Sequence, residues 1–189
     1  SGSPALPLTI TGWNNAAITA TLPANTPVGA VAGRQLTVTR DNGLATKAGV
    51  TVQVGLRQGA TIRRVPLQYP TIQAAINAAN ANDLILVRNG TYAEIVVMWK
   101  PVQLQGWGEG STTINALKAP AEKLEAWRSL VNGLIAGNSV TLAPGQEVGP
   151  GQPEPVTLWN EEGAGILVLG RSSGNQAFSD TRNRESRID

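Results

Sequence analysis

The chain contains no cysteine and no histidine, and only one Phe and one Met. Without cysteine there is neither a disulfide framework nor a thiolate metal site; without histidine the commonest general base and metal ligand is missing. Charge is scarce as well. Charged residues make up 15% of the 189 positions and the formal net charge is +2, which leaves no electrostatic case for nucleic-acid binding. No apolar run approaches the ~18 residues of a membrane span, and no basic-then-apolar leader opens the sequence, although a cleaved or upstream signal would leave no trace. The chemistry on offer is narrow, and no cofactor is expected.

What is present suits a mainly all-β protein of one ordinary domain or two small ones. The hydrophobic fraction of 41% is enough for a core, and 21 glycines and 12 prolines point to turns and short strands rather than long helices. The most informative stretch is Tyr69 to Ile114. Pro70 restrains the entry to a helix, Thr71 is placed to cap it, and Ile72, Ala75, Ile76 and Ala79 fall on one side. Asn80, Asn82 and Asp83 end it. Leu84 to Val87 (LILV) then reads as a strand buried on both faces. Asn89-Gly90 turns the chain, Glu94 to Val97 makes a second strand, Lys100-Pro101 breaks it, and Val102 to Leu104 makes a third before the glycines at 106, 108 and 110. Strands this short, separated by turns, suit a solenoid whose turns stack, with the helix closing one end.

The segments YPTIQAAINAA, LILVRNGTY, IVVMWKPVQLQGWG and STTI closely resemble the opening coil of right-handed parallel β-helix proteins of the pectin lyase-like superfamily. The resemblance implies that fold with its N-terminal cap. It does not fix an activity, since the superfamily holds polysaccharide lyases, esterases, adhesins and modules without catalysis. Family catalysis uses acidic residues and arginines on one sheet of the middle coils. Here the aspartates are Asp41, Asp83, Asp180 and Asp189. The first sits in a hairpin turn, the second ends the cap helix and the third lies in a polar tail, so only Asp189 stays open. Glu161-Glu162 is the one adjacent carboxylate pair, and neighbours on a strand face opposite ways. Gly106 to Gly110 (GWGEG) reads as a coil turn rather than a dinucleotide loop, because no helix start follows.

Residues 1–55 read as strands at 8–11, 17–22, 35–39 and 50–54, each alternating apolar with polar residues so that one face is inward and one wet. This region resembles the later part of an immunoglobulin-like IPT/TIG domain. Four strands cannot bury themselves well, so the partial sandwich is expected to be completed by preceding residues or another chain, or else to lean on the coil. Residues 56–68 read as a linker in which Arg57, Arg63 and Arg64 cluster on a solvated face and Val65 and Leu67 cover the helix. Within 69–189, an insertion at 115–155 carries a helix over 120–134, with Leu124, Trp127, Leu130, Val131 and Leu134 at helical spacing, and a Pro/Gly-rich segment at 144–155. Excursions between coils are where contacts are commonly carried, so this arm is the expected partner or glycan surface. The coil resumes at 156–159 and 163–170, and a polar tail follows from Arg171.

Five tryptophans supply most of the large apolar anchors. Core packing is their default, with Trp99 and Trp107 expected nearest the surface. The candidate contact residues are Trp99, Trp107, Trp127, Arg63 and Arg64; no catalytic or metal residue is nominated. The expected function is that of a noncatalytic structural, adhesion or assembly module of a large secreted or cell-surface bacterial protein, with polysaccharide as a further partner. Two alternatives stand beside it: the front part of an extracellular polysaccharide lyase or esterase whose site lies beyond Asp189, and a separate subunit completed by strands of another chain. Either way the last turn would be an open edge, and the remainder of a longer polypeptide, or other chains, is the expected partner at both ends.

Overall fold

A computed structural model describes residues 5–24, 26, 34–47, 49–117, 119–140, 164–170 and 187–188. The expectations for 144–159, Glu161, Glu162, Asp180 and Asp189 lie outside the described residues. The protein is mainly β. Two antiparallel ribbons come first: β1 (Thr9–Trp13) with β2 (Ile18–Thr21), and β3 (Arg34–Leu36) with β4 (Val50–Val52). Then follow β5 (Ile62–Val65), α1 (Ile72–Ala78), β6 (Leu84–Val87), β7 (Gly90–Tyr92), β8 (Val96–Met98), β9 (Gln103–Gln105), β10 (Thr112–Ile114), α2 (Glu122–Ala136), β11 (Ile166–Val168) and β12 (Arg187–Ile188).

From β5 onward every described pairing is parallel. The ladders run β5-β6-β9-β12, β7-β10 and β8-β11. The chain leaves β6, visits β7 and β8, and returns at β9 beside its starting strand, with Leu84 opposite Gln103 and Ile85 opposite Leu104. Each circuit therefore stacks on the previous one and buries its inward side chains against the same axis. Val65, Ile85, Val87, Val96, Met98, Val102 and Leu104 form this inner core, all nearly inaccessible to water. Fully burying an aliphatic side chain stabilises by about 1.5–3 kcal/mol, so this core dominates the energetics of the region.

The short helix α1 closes one end. A helix of this length is marginal alone in water, so its stability comes from what it covers. Ile72, Ala75 and Ile76 are buried against the inner core, and the helix packs on β5, β6 and β8. Thr71 caps it by accepting from the Ala74 N–H at 3.1 Å. The Glu94 carboxylate takes the Ile72 and Gln73 N–H groups at 2.9 and 3.0 Å, which complements the positive end of the helix. At the other end Lys100 Nζ donates to the carbonyls of Asn77 and Ala79 at 2.6 and 2.8 Å. Two glutamines plug the strand edges at this end. The Val97 N–H donates to Gln73 Oε1 at 2.8 Å and Gln73 Nε2 donates to the Val97 carbonyl at 3.1 Å, while the Arg64 N–H donates to Gln68 Oε1 at 2.9 Å. Backbone groups that would otherwise template another strand are thus occupied.

Alternation along β8 builds a second core. Val96 and Met98 point into the coil, whereas Val97 packs with Leu167 against Trp127, Val131 and Leu134 of α2, and with Val140 just beyond it. The described part of the 115–155 insertion is therefore packed on the coil rather than projecting from it. Its helix runs 122–136 instead of 120–134. Ala121 offers no capping side chain at the start, and Gly133 lies inside the helix, which ends at Gly137.

Several boundaries differ from expectation. Residues 56–68 are no mere linker, because β5 within them forms the first strand of the largest ladder. Val65 is fully buried but Leu67 is 69% exposed and covers nothing. The strand expected at 94–97 starts at Val96 because Glu94 turns aside to cap α1, and the one expected at 102–104 lies at 103–105. The turn expected at Asn89-Gly90 is shorter than it reads, because Gly90 is already the first residue of β7 and pairs with Thr112.

The ribbons differ most. Their alternation is real, yet β1 and β2 have no buried residue, and Ile10, Trp13, Ile18 and Leu22 are all exposed. β3-β4 does lean on the coil. Gln103 Nε2 donates to Gln53 Oε1 at 3.0 Å, Gln105 Nε2 donates to the Thr51 carbonyl at 3.2 Å, and Gly108 lies against the Gly49 carbonyl so closely that a Cβ would stand 2.9 Å from that oxygen.

Candidate ligand-contact surface

The five nominated residues fall into three groups. Trp127 is 4% exposed and belongs to the core between α2 and the coil, so it is no contact residue. Its place in the helical apolar stripe with Val131 and Leu134 explains why. Arg63 and Arg64 are neighbours on β5 and face differently. Arg64 is exposed, and its backbone N–H goes to Gln68. Arg63 is committed to the protein: its Nε donates to Asp83 Oδ2 at 2.8 Å and a terminal nitrogen to the Tyr69 hydroxyl at 2.7 Å.

Asp83 is the centre of that arrangement. Only 1% exposed, it also accepts from the Thr61 N–H and hydroxyl at 2.8 and 3.0 Å and from the Asn80 N–H at 2.9 Å. Burial by itself pushes its pKa up, but the Asn80 and Thr61 backbone bonds, the Arg63 guanidinium and the Thr61 hydroxyl outweigh that and hold the carboxyl below its ordinary value. Arg63 is pushed up in turn, first by Tyr69 and then by Asp83. A carboxylate saturated in this way is a structural clasp between β5 and the end of α1. It has no lone pair directed at a substrate, which removes Asp83 as a nucleophile or base.

Trp99 and Trp107 are the surface tryptophans. Trp99 is half-buried between the two cores, donates its indole N–H to Asn77 Oδ1 at 3.2 Å, and carries Lys100 Nζ 4.4 Å from its ring centroid. Burial pushes the Lys100 pKa down, and nearby Arg63 adds to this while Asp83 opposes it. Since Lys100 also caps α1, this pair serves the end of the helix.

Trp107 is more open, at 42% exposed. Its backbone N–H donates to Thr112 Oγ1 at 3.0 Å, and the positive φ values of Gly108 and Gly110 shape the turn that presents it. Arg88 lies over the indole with its guanidinium carbon 5.4 Å from the ring centroid. The Tyr92 hydroxyl donates to the Arg88 carbonyl at 3.1 Å, which steadies the Arg88 backbone. Sequence reasoning missed Arg88. The signal was there in the coil spacing: Arg88 and Trp107 stand as far apart in sequence as the paired Leu84 and Gln103, so the parallel register stacks them one turn apart.

Among the described residues no group of His, Cys, Asp and Glu could hold a metal ion, and no helix is long and apolar enough to cross a membrane. Compared with protein-family models, with curated proteins and with solved structures, the chain matches none.

Proposed function

We propose that the chain is a noncatalytic structural, adhesion or assembly module of a large secreted or cell-surface bacterial protein: part of an immunoglobulin-like IPT/TIG domain joined to the capped start of a right-handed parallel β-helix of the pectin lyase-like kind, with a glycan-contacting surface. The observation that carries this reading is the closed circuit of parallel ladders with α1 seated on one end. A stacked coil is a rigid, extendable rod, and its plugged end fits a part where stacking starts. The saturation of Asp83 by neighbouring groups favours a mechanical role over catalysis at the first coil. The uncovered apolar side of β1-β2 favours completion by further strands, from the same polypeptide or another chain.

The test is incubation of the natural polypeptide containing this chain with acidic and neutral polysaccharides, reading both chain cleavage and retention on the insoluble polymer. Retention without cleavage is the expected result. Depolymerisation or de-esterification would replace this reading with that of a lyase or esterase, and neither retention nor cleavage would remove the glycan-contacting part.

A further inference from the structure

We propose that Asn42, at the tip of the turn between β3 and β4, is a site of spontaneous modification: its side-chain amide passes through a cyclic imide to aspartyl and isoaspartyl products without an enzyme. Asn-Gly occurs three times, at Asn42-Gly43, Asn89-Gly90 and Asn132-Gly133. In each pair the glycine nitrogen adjoins the asparagine side chain, and no Cβ obstructs its attack. Sequence treats the three alike, and the fold separates them.

The Leu44 N–H donates to Asn42 Oδ1 at 3.1 Å. This bond folds the side chain back along the main chain in a ring that includes the Gly43 nitrogen, and it polarises the carbonyl which that nitrogen attacks. Gly43 has a φ of +81°, and no atom lies within 4 Å of where a Cβ would stand, so the imide can close without a clash. The bond to be released is that from the Gly43 N–H to the Arg40 carbonyl, at 2.9 Å. Every residue from Thr39 to Lys47 is exposed, and an isolated bridge between Thr39 and Ala45 joins the arms beside the turn. Exposed backbone bonds without buried contacts around them open at low free-energy cost.

The other two pairs are held by the fold. The Gly90 N–H donates to the Ser111 carbonyl at 2.8 Å, and Gly90 is itself a strand residue in register with Thr112. Gly133 lies inside α2 beside buried Leu134, where freeing its N–H means opening the helix.

In the reaction the Gly43 nitrogen loses its proton to hydroxide and bonds to Asn42 Cγ; the Cγ–Nδ2 bond breaks and ammonia leaves with a proton from water. Water then opens the imide. Cleavage between the Gly43 nitrogen and Cγ restores the main chain and leaves an aspartyl residue. Cleavage between that nitrogen and the Asn42 backbone carbonyl carbon routes the main chain through the side chain and leaves an isoaspartyl residue. The net change is amide plus water to carboxylate plus ammonium. Either product sets a second carboxylate beside Asp41, and the isoaspartyl form lengthens the turn by one main-chain atom, which disturbs the register of Thr39 with Ala45. The second ribbon thus carries a slow, irreversible clock that the coil does not.

The experiment is incubation of the intact chain at neutral and mildly alkaline pH, both folded and unfolded in guanidinium chloride. Peptide mapping by mass spectrometry reads conversion at each Asn-Gly pair, and enzymatic methylation counts isoaspartyl groups. In the folded chain Asn42 should convert at least ~10-fold faster than Asn89 and Asn132, and faster as pH rises. In the unfolded chain the three rates should converge. Gly43→Ala should slow conversion at least ~10-fold, and Asn42→Gln, which would need a larger ring, should abolish it. In the isoaspartyl chain hydrogen exchange should rise at Val38 and Thr46, whose N–H groups bond across the hairpin, and stay unchanged in β6. No conversion at Asn42 would overturn the site. Equal rates at the three pairs in the folded chain, or a lead for Asn42 that persists after unfolding, would overturn its selection by the fold. Unchanged exchange at Val38 and Thr46 would overturn the loosening of the ribbon.

Discussion

The coil and the N-terminal ribbons are written in the same alphabet of Val, Ile, Leu, Thr and Ala, yet the same residue types meet opposite fates in them. Ile85 in β6 is fully buried, whereas Ile10 in β1 is 57% exposed and its cross-strand neighbour Ala20 is also in water. Propensity made strands in both places. Burial came only where the chain circled back onto itself, because a ladder that closes supplies every inward side chain with partners from other faces, while a two-stranded ribbon has one layer and nothing opposite it. The β3-β4 ribbon stands between these cases: it borrows the coil as a partner through Thr51, Gln53 and Gly49.

The contrast can be broken most directly in the two isoleucines. Ile85→Ala should destabilise the coil by about 4 kcal/mol through lost transfer energy and an unfilled cavity, whereas Ile10→Ala should cost under about 0.5 kcal/mol. Urea unfolding followed by tryptophan fluorescence gives both values, and similar losses at the two sites would mean that the ribbon is as well packed as the coil.

Next in size is the clasp. Asp83→Asn should cost about 3 kcal/mol at neutral pH, since a buried charge-assisted network loses its anion and leaves Arg63 poorly paired. The sign of its pH dependence follows from the lowered carboxyl pKa. The contribution is complete above the unfolded value of about 4 and disappears as pH falls through the folded value. Wild type and variant should therefore differ by a constant amount near neutrality and converge in strong acid; a gap that persisted there would locate the energy elsewhere.

A smaller effect should sharpen the intermediate case. Gly108→Ala places a methyl group against the Gly49 carbonyl and forces a side chain into a φ of +138°, at a cost of about 2 kcal/mol. Hydrogen exchange should then rise at Thr51 and its neighbours on the ribbon but not at β6; unchanged exchange in β4 would mean that the joint does not hold the ribbon. Smallest is Glu94→Gln, which keeps the shape but removes the negative charge from the N-terminus of α1, worth about 1 kcal/mol. Its measure is the melting temperature at low and high salt, and an effect that does not shrink with salt would exclude the dipole term.

Some of the elements were legible in advance. The Thr71 cap and the spacing of Ile72, Ala75 and Ile76 announce α1, and four consecutive aliphatics announce β6. Local rules suffice there because helix period, cap and strand run all agree. β5 was hidden because Arg63-Arg64 looks like solvated charge, and only the distant Asp83 makes one of those arginines an interior partner. Trp127 looked available for a ligand because nothing local says that Val97 turns outward to meet it. Arg88 gained meaning only once the parallel register set it over Trp107.

By itself, then, the sequence determined the mainly β character, the position of the cap helix and the turns, since these depend on interactions within a few residues. The tertiary structure alone decided which arginine is clasped and which is offered to solvent, which tryptophan is core, and which apolar strand face is covered. Those outcomes depend on groups brought together from separate circuits of the chain, and closure of the coil is what brings them together.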